Sequence, residues 1–429
     1  MTAFRQRAEG ARVSIVLDGE RIEAIEGEPV ANTLLAADRV VLARSPKLHR
    51  PRGPSCLRGA CDGCLMRVDD VPNVMTCLVP VRDGMRIETQ NVIGTRNVDL
   101  LRVTDWFFPN GIDHHHFLAG VPGAGSVMQA IARRVAGLGL VPTKPSPVQS
   151  GARRSVDALV VGGGAAGIAA ASALALGGAQ TVLVDDALAL GGSLRALEPA
   201  ALTTVLREHP LDGVEVRSRT VVAGLYDATA LLVGPTGAEV LTPGVLVLAT
   251  GAHDGAIAFE GNDVPGVMSA RGAATLAAAG VAIGKRVVIA GDGAFARAAS
   301  RLLAPHAELT RVALGAVLRV EGSTRVGAVV VREGESTRRV RADALAIDAE
   351  TSPAFELAAQ LGVEVRWTAR GFAPTCDEDG KIAPSAWVAG ELRAVPVDPE
   401  RLAASGRGAG LAALAALASS ARPLHGRAP

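Results

Sequence analysis

Residues 155–186 read SVDALVVGGGAAGIAAASALALGGAQTVLVDD, and this stretch decides the fold of the chain. An apolar strand, a glycine-rich turn, an alanine-rich helix and a second apolar strand follow one another without interruption. Gly162, Gly164 and Gly167 have the spacing G-x-G-x-x-G, and Asp185 ends the second strand. A strand–helix–strand unit of this kind pairs its strands in parallel, so the sequence predicts an α/β fold.

The glycine spacing also predicts a dinucleotide site. The first glycine allows the tight turn, the second lets the backbone approach a pyrophosphate, and the third packs the helix on the strand. The helix N-terminus, with Ala165 and Ala166, would face the phosphates. Asp185 would bind the ribose hydroxyls, with Asp186 as the alternative. The other interpretation is a glycine-rich strand–helix turn that binds no ligand.

A second strand–turn–helix begins at residue 284 with GKRVVIAGDGAFARAASRLLA. Gly291, Gly293 and Ala296 repeat the glycine spacing with alanine in the last position. The strand after this helix is followed by no clear acidic residue or arginine that could read a ribose. Residues 284–350 are also few for a complete nucleotide domain. The turn could bind NAD(P), but the sequence favours a shortened domain that is kept for packing.

Four of the five cysteines lie within residues 56–77, in the spacing C-x4-C-x2-C-x12-C. Plant-type [2Fe–2S] proteins use C-x4-C-x2-C followed by a distant fourth cysteine. Zinc ribbons instead pair two C-x2-C knuckles, and only one is present here. The pattern favours a [2Fe–2S] cluster, with a zinc site or disulfides as the alternatives. The predicted ligands are Cys56, Cys61, Cys64 and Cys77.

The residues around these cysteines predict a small α+β domain that ends near residue 95. Residues 11–18 alternate like a strand, and Asp-Gly-Glu at 18–20 predicts a hairpin turn. Residues 29–43 have helical spacing with a proline at the start. A short strand is predicted at 85–89.

The composition excludes several classes of function. The chain of 429 residues has 44 Lys+Arg against 43 Asp+Glu, and aromatic residues make up 3%. This balance argues against binding to nucleic acid or to an acidic membrane surface. The first residues lack the apolar core of a signal peptide, and no apolar stretch combines spanning length with membrane flanks. We expect a soluble, cytoplasmic protein without an integral membrane segment.

Two further motifs, together with the first dinucleotide turn, indicate a resemblance to a known family of flavoproteins. LATG at 248–251 ends a strand after a β-rich stretch at 214–248, and WVAGE at 387–391 precedes a C-terminal helix at 408–420. Together they resemble the flavoproteins of the glutathione-reductase type, whose FAD domain is interrupted by an NAD(P) domain. The resemblance implies that the first turn binds FAD. It adds the site residues Gly192, Thr250, Gly251, Gly390 and Glu391, the last in place of the usual aspartate.

The order of modules resembles a narrower group. An N-terminal [2Fe–2S] module, an aromatic arm and a flavoprotein core are similar to the α-subunit family of heterotetrameric sarcosine oxidase. Its relatives are dye-linked proline dehydrogenase, octopine and nopaline oxidases, and hydrogen cyanide synthase. The motifs that carry the resemblance are HRPRG (49–53), MTC (75–77), DG (83–84), DWFFPNG (105–111), VD (184–185), GGSL (191–194), ATGAH (249–253) and GNDVPGVM (261–268).

This resemblance implies an oxidoreductase subunit that passes electrons during the oxidation of a secondary amine or amino acid. The chemistry would take place with a flavoprotein β subunit. The aromatic arm at 105–117 is the candidate contact surface, and burial of these aromatics within the chain is the alternative. A folate-binding domain and a second cysteine-rich motif, which some relatives carry, are absent from this sequence. The alternatives are a self-contained NAD(P)H-dependent reductase with a built-in ferredoxin, and a non-catalytic α-like scaffold.

The predicted fold is therefore α/β: a β-grasp-like [2Fe–2S] ferredoxin domain, then a glutathione-reductase-type flavoprotein with a shortened second nucleotide domain. We expect the ferredoxin-like domain at residues 1–95. Residues 96–154 are expected to hold the aromatic arm, a helix at about 125–138 and a Pro-rich linker. The FAD domain should comprise residues 155–283 and 351–429, and the NAD(P)-like domain residues 284–350.

No residue can be assigned as an acid–base catalyst from the sequence. His253 follows the ATG motif and could be a general base, but a structural role is favoured. His114, His115 and His116 are consecutive, so an exposed loop is favoured over a metal site. Cys376 is expected to be a free surface thiol. No C-x-x-C motif lies in the flavoprotein part, which argues against a dithiol reductase.

Overall fold

The computed structural model describes most of the chain and divides into two compact units. It describes residues 3–45, 49–90, 151–227 and 229–419, together with 92, 94–96, 98–100, 121, 123 and 125–127. Unit 1 falls within residues 1–145, 257–292 and 299–348, and unit 2 within 146–256, 293–298 and 349–429. The aromatic arm, the three consecutive histidines and nearly all of the linker lie outside the described residues. Of the predicted helix at 125–138, residues 125–127 are described and are helical.

The N-terminal part of unit 1 is a five-stranded mixed sheet with the strand order β2-β1-β7-β5-β6. β1 and β7 pair in parallel and the other neighbours are antiparallel, which is the β-grasp arrangement that the resemblance implied. The buried helix α1 follows the first hairpin. The elements are β1 (Arg12–Leu17), β2 (Glu20–Ile25), α1 (Val30–Ala36), β3 (Ala43–Arg44), β4 (Pro51–Arg52), β5 (Leu65–Val68), β6 (Val71–Met75), a 3₁₀ helix (Thr76–Leu78) and β7 (Arg86–Glu88).

The helix predicted over residues 29–43 is wrong at its C-terminal end. It stops at Ala36, because Asp38 takes a left-handed conformation with φ of 64°. The Asp38 N–H donates to the Leu35 carbonyl and the Arg39 N–H donates to the Leu34 carbonyl. These two bonds are a Schellman motif, which ends a helix and which glycine usually supplies.

Unit 2 begins with the predicted strand–turn–helix–strand. β8, β9 and the C-terminal half of β13 are parallel, and their apolar side chains are buried on both faces of the sheet. The residues at 214–248 form strands as predicted. The elements are β8 (Ala152–Val161), α2 (Ala165–Leu176), β9 (Thr181–Val184), α3 (Leu194–Leu197), α4 (Pro199–Glu208), β10 (Val214–Arg217), β11 (Val221–Tyr226), β12 (Thr229–Gly234), β13 (Gly237–Leu248) and β14 (Ala252–His253).

The second strand–turn–helix lies in a four-stranded parallel sheet of the order β15-β21-β16-β17, beside a three-stranded antiparallel sheet, β18-β19-β20. This is a small nucleotide-type fold, in agreement with the predicted shortened domain. The elements are β15 (Val267–Ser269), α5 (Ala270–Ala278), β16 (Arg286–Ala290), α6 (Ala294–Leu303), β17 (Glu308–Val312), a 3₁₀ helix (Leu314–Ala316), β18 (Val317–Gly322), β19 (Val326–Glu333), β20 (Ser336–Arg341) and β21 (Ala344–Ile347).

The C-terminal residues return to unit 2. β26 pairs in parallel with β13 and so completes the sheet. The last helix, α8, begins at Pro399 and is longer than predicted. The elements are β22 (Ser352–Pro353), α7 (Glu356–Ala359), β23 (Val365–Thr368), β24 (Gly371–Pro374), β25 (Lys381–Ala383), β26 (Ala386–Val388), a 3₁₀ helix (Gly390–Arg393) and α8 (Pro399–Ser419).

Helix α8 is long and apolar enough to cross a membrane by length and composition. Two of its three glycines nevertheless lie against α2 at backbone distance. A Cβ on Gly406 would be 1.9 Å from the Ala166 carbonyl oxygen, and one on Gly410 would be 2.7 Å from that of Ala170. Ala409 and Ala413 are buried in the same core as Ala170. These contacts are those of a core helix.

Candidate cofactor sites

The four clustered cysteines of unit 1 lie in one tight loop and the 3₁₀ helix that follows β6. Cys56, Cys64 and Cys77 are buried, and Cys61 is half-buried. The backbone N–H groups of Arg58 and Ala60 donate to the Cys56 Sγ at 3.5 and 3.3 Å. Amide donors of this kind surround sulfurs that carry negative charge in iron–sulfur proteins.

The thiols form two pairs. The Cys56 thiol donates a hydrogen bond to Cys61, and the Cys77 thiol donates one to Cys64. Within the part of the chain that the structure describes, no three His, Cys, Asp or Glu side chains are grouped to hold a single metal ion. A structural zinc ion requires four ligands around one point. Two pairs suit two irons with two thiolates each, so this donor set fits a [2Fe–2S] cluster.

Within each thiol pair, the pKa of one cysteine is lowered and that of the other is raised. The pKa of Cys61 is lowered to about 5, chiefly because the Cys56 thiol donates a hydrogen bond to its sulfur. The same hydrogen bond, followed by burial, raises the pKa of Cys56. The pKa of Cys64 is lowered by the hydrogen bond from Cys77, whose own pKa is raised. Each pair can thus share one proton, which binding of a metal centre would displace.

Close backbone packing shapes the cysteine loop. A Cβ on Gly63 would lie 2.1 Å from the Gly53 carbonyl oxygen, so only glycine fits there. Gly53 ends the HRPRG motif, and β4 therefore lies directly against the loop. The Thr76 N–H and hydroxyl both donate to the Cys64 carbonyl, at 3.2 and 2.9 Å. The motif residues near the cysteines hold the loop between β4 and the 3₁₀ helix.

The three glycines of the first turn have different neighbours in unit 2. A Cβ on Gly162 would lie 2.3 Å from the Ala249 carbonyl oxygen, and one on Gly167 would lie 1.7 Å from that of Gly162. The chain's own packing therefore requires both. A Cβ on Gly164 would come no closer than 4.0 Å to any atom, the Cα of Gly192. The space in front of Gly164, at the N-terminus of α2, is open, as a pyrophosphate at this position would require.

The acidic residues after β9 are placed next to this turn. The Asp185 carboxylate accepts hydrogen bonds from the Gly163 and Ala187 N–H groups, the latter at 2.9 Å. It is half-buried, whereas the side chain of Asp186 is exposed. Asp185 thus faces the glycine turn, at the position predicted for ribose recognition, and Asp186 points to solvent.

A second group of predicted residues lies around Glu391. This carboxylate is buried, and the Ser193 hydroxyl donates to its Oε2 at 2.7 Å. The nearest atom to a Cβ on Gly251 would be the same Oε2, at 4.0 Å. A Cβ on Gly390 would lie 2.8 Å from Ala166, in the first turn of α2. These residues therefore surround one region at the N-terminus of α2.

The remaining predicted residue, Thr250, has a structural partner. Its hydroxyl donates to the Ala354 carbonyl at 2.8 Å. Sequence reasoning missed Ser193 as a site residue. The GGSL motif, quoted for the family, was the signal that could have found it.

The second turn has the backbone of a nucleotide site but lacks the acidic residue or arginine that would contact the ribose. Gly291 has φ of 103°, and α6 begins at Ala294, as the sequence predicted. Gly293 and Ala296 take the turn and helix positions that the spacing assigned to them. β17 ends at Val312, and Ala313 follows where an acid or arginine would contact a ribose.

His253 forms an exposed pair in unit 2. Its Nε2 lies 2.8 Å from the Glu356 Oε1, and the two side chains are 41% and 58% exposed. Exposed ion pairs contribute little to stability. We expect His253→Gln to change the free energy of unfolding by less than about 1 kcal/mol in a urea titration. A larger loss would mean that His253 has a structural role beyond this pair.

Cys376 is half-buried and packs partly against the core of the large sheet in unit 2. Its thiol is free, as predicted, but it is not fully on the surface.

The N-terminal residues are similar to a known family of domains. Residues 10–92 match the family described as "2Fe-2S iron-sulfur cluster binding domain". A hydrogen cyanide synthase subunit, HcnA of Pseudomonas aeruginosa, is 37% identical over 81 residues, which cover 19% of this chain and 77% of HcnA. The N-terminal domain belongs to this family of [2Fe–2S] domains.

Longer relatives cover most of the chain. The sarcosine oxidase α subunit of Rhizobium meliloti is 28% identical over an alignment of 411 positions that covers 83% of this chain and 41% of the relative. That of Corynebacterium sp. strain P-1 is 28% identical over an alignment of 386 positions that covers 83% of this chain and 35% of the relative. The chain is a relative of the sarcosine oxidase α subunits. It spans well under half of their length.

Solved structures show the same fold. L-proline dehydrogenase from P. horikoshii aligns with a TM-score of 0.73 at 22% identity, over 96% of this chain and 75% of that one. Thioredoxin reductase of T. acidophilum aligns with a TM-score of 0.50 at 18% identity, over 61% of this chain and 98% of that one. The first likeness covers nearly all of the chain, while the second corresponds to a dinucleotide-binding fold without the rest.

These relationships confirm the resemblance and the fold class that the motifs predicted, and the relatives are named as an oxidase and a dehydrogenase, in agreement with the predicted oxidoreductase class. The predictions of a [2Fe–2S] cluster and of FAD as cofactors of this fold are likewise confirmed. NAD(P) at the second turn stays a prediction.

Proposed function

We propose that the chain is an electron-transfer subunit that acts in the oxidation of a secondary amine or amino acid, together with a flavoprotein β subunit. The observation that carries this proposal is the set of four neighbouring cysteines, three of them buried, with two backbone N–H groups donating to the Cys56 sulfur. We assign these four cysteines as the cluster ligands, because two pairs match the two irons of a [2Fe–2S] centre.

We assign the first turn of unit 2 to FAD. Gly164 would admit the pyrophosphate at the N-terminus of α2, and Asp185 would bind the ribose once its carboxylate exchanges a backbone partner for a hydroxyl. Glu391, held by Ser193, would accept a hydrogen bond from the sugar chain of the same cofactor. Bound flavin would convert two-electron chemistry into the single-electron steps that an iron–sulfur centre accepts.

The substrate class and the partner are supported by the relatives. Two of them are named as α subunits of sarcosine oxidase, and a solved structure of the same fold is named as an L-proline dehydrogenase. Sarcosine and proline are both secondary amino acids. The buried carboxylate beside the dinucleotide turn, Glu391, accepts a hydrogen bond from Ser193 and is assigned here to the cofactor, which supports oxidation of the amine on another subunit.

The test compares electron donors on the anaerobically purified chain, alone and in complex with the flavoprotein subunit that co-purifies with it. We expect sarcosine, proline or a related secondary amino acid to bleach the visible absorption of the complex, and no amine to bleach that of the chain alone. NADH should leave both unchanged, since Ala313 offers no ribose contact at the second turn. Rapid bleaching of the isolated chain by NADH would contradict the proposal and favour a self-contained reductase. Bleaching by no donor in either form would favour a scaffold.

A further inference from the structure

A hydrogen-bonded contact links the second nucleotide-type fold of unit 1 to the cysteine loop. The Ser55 carbonyl accepts two hydrogen bonds from Ser269, one from its backbone N–H at 3.0 Å and one from its hydroxyl at 3.3 Å. Ser269 is buried and ends β15, directly after the GNDVPGVM motif. This motif thus leads the chain to the loop that carries Cys56.

The peptide that accepts these bonds also donates toward a predicted cluster ligand. The Ser55 carbonyl and the Cys56 N–H belong to one peptide group. The Cys56 N–H lies near the sulfur of Cys61, and with the Ser55 and Gly63 N–H groups it lowers the pKa of that thiol. Ser269 therefore holds the peptide group whose N–H faces the Cys61 sulfur.

The contact leaves no room for an additional atom. A Cβ on Gly272 would lie 2.6 Å from the Ser55 carbonyl oxygen and 3.4 Å from that of Cys56. The Ser269 hydroxyl also accepts from the Gly272 N–H at 2.9 Å and so caps α5. The first turn of α5 lies against the cysteine loop, where Ser269 donates two hydrogen bonds and only glycine fits at position 272.

We propose that Ser269 is a positioning residue that tunes the reduction potential of the [2Fe–2S] cluster through the Ser55–Cys56 peptide. The inference rests on the proposed assignment of Cys61 as a ligand. Hydrogen bonds to cluster sulfurs favour the reduced, more negative state and raise the potential. A carbonyl that accepts two bonds makes the N–H of the same peptide a stronger donor, because hydrogen bonds in a chain polarise one another. Removing the Ser269 hydroxyl should therefore lower the potential.

The experiment is a redox titration of the cluster, followed by electron paramagnetic resonance on the full-length protein with its iron content measured. We expect Ser269→Ala to shift the midpoint to lower potential with iron content unchanged. Ser269→Thr, which keeps the hydroxyl, should restore the wild-type midpoint. Thr275→Ala is the matched control, because its hydroxyl lies in the same helix and donates only to the Arg271 carbonyl, at 2.9 Å.

Ser269→Gly separates tuning from capping, because glycine replaces serine at a helix N-cap at a cost of only a few tenths of a kcal/mol. It should lower the midpoint as Ser269→Ala does while the melting temperature stays near that of the wild type. Midpoints of Ser269→Ala and Ser269→Gly equal to the wild-type value would overturn the proposal. If Ser269→Ala loses its iron, the midpoint potential of Ser269→Gly alone tests the proposal. Wild-type protein without iron would instead refute the assignment of the cluster ligands, so the two failures are distinguishable.

Discussion

A Cys64→Ala variant loses its iron. Cys64 is fully buried, its sulfur accepts a hydrogen bond from the Cys77 thiol, and its carbonyl is held by Thr76. Without it, one iron keeps a single protein ligand, and the loop offers no other thiolate among the described residues. We expect iron to fall from about two per chain to near zero. The visible absorption of the cluster should disappear with it.

Cys376→Ala is the matched control for this loss. Cys376 is also a free, half-buried thiol, but it lies in unit 2 and outside the paired set. Its removal should leave both iron and flavin at wild-type levels. The assignment of ligands is wrong if Cys64→Ala keeps its full iron content, or if Cys376→Ala loses it.

A substitution of Gly164 should weaken ligand binding at the first dinucleotide turn without preventing folding. Gly164→Ala adds a methyl group into space that no atom of the chain approaches within 4.0 Å. We expect it to weaken FAD binding at least about tenfold, roughly 1.4 kcal/mol. The apo protein should lose no more than about 1 kcal/mol of stability, because Gly164 is an N-cap without a side-chain hydrogen bond. The measurements are calorimetric FAD titration and urea unfolding.

Gly167→Ala is the contrasting variant. Its methyl group would meet the Gly162 carbonyl oxygen at 1.7 Å, so α2 must move away from β8. We expect about 1–3 kcal/mol of destabilisation, or more, with or without FAD. If Gly164→Ala bound FAD as tightly as the wild type, the space in front of α2 would not be the pyrophosphate site.

Secondary structure was predicted most accurately where the spacing of residue types alone specifies the backbone conformation. The glycine positions and apolar runs of residues 155–186 required β8, α2 and β9, because those residue types allow few other structures. The same holds for the tight cysteine spacing. The end of α1 was missed because Asp38, not glycine, takes the left-handed position, and no residue-type rule favours aspartate there over a continued helix.

Long-range partners could not be predicted. Ser193 and Glu391 are 198 positions apart, and their hydrogen bond exists only once β26 joins the sheet. The contact of Ser269 with Ser55 spans two modules that the sequence presents as separate. Ser193 lies in the GGSL motif and Ser269 directly follows GNDVPGVM, but the motifs gave neither serine a function, because a hydroxyl has no characteristic spacing from a distant acceptor.

We expect one chain to carry both a [2Fe–2S] cluster and FAD. The most direct test is quantification of iron, zinc and extracted flavin in anaerobically purified protein, with paramagnetic resonance before and after dithionite. We predict about two irons and one FAD per chain, no zinc, and a signal that appears on reduction. One zinc per chain, no flavin and no signal in the reduced sample would contradict the claim.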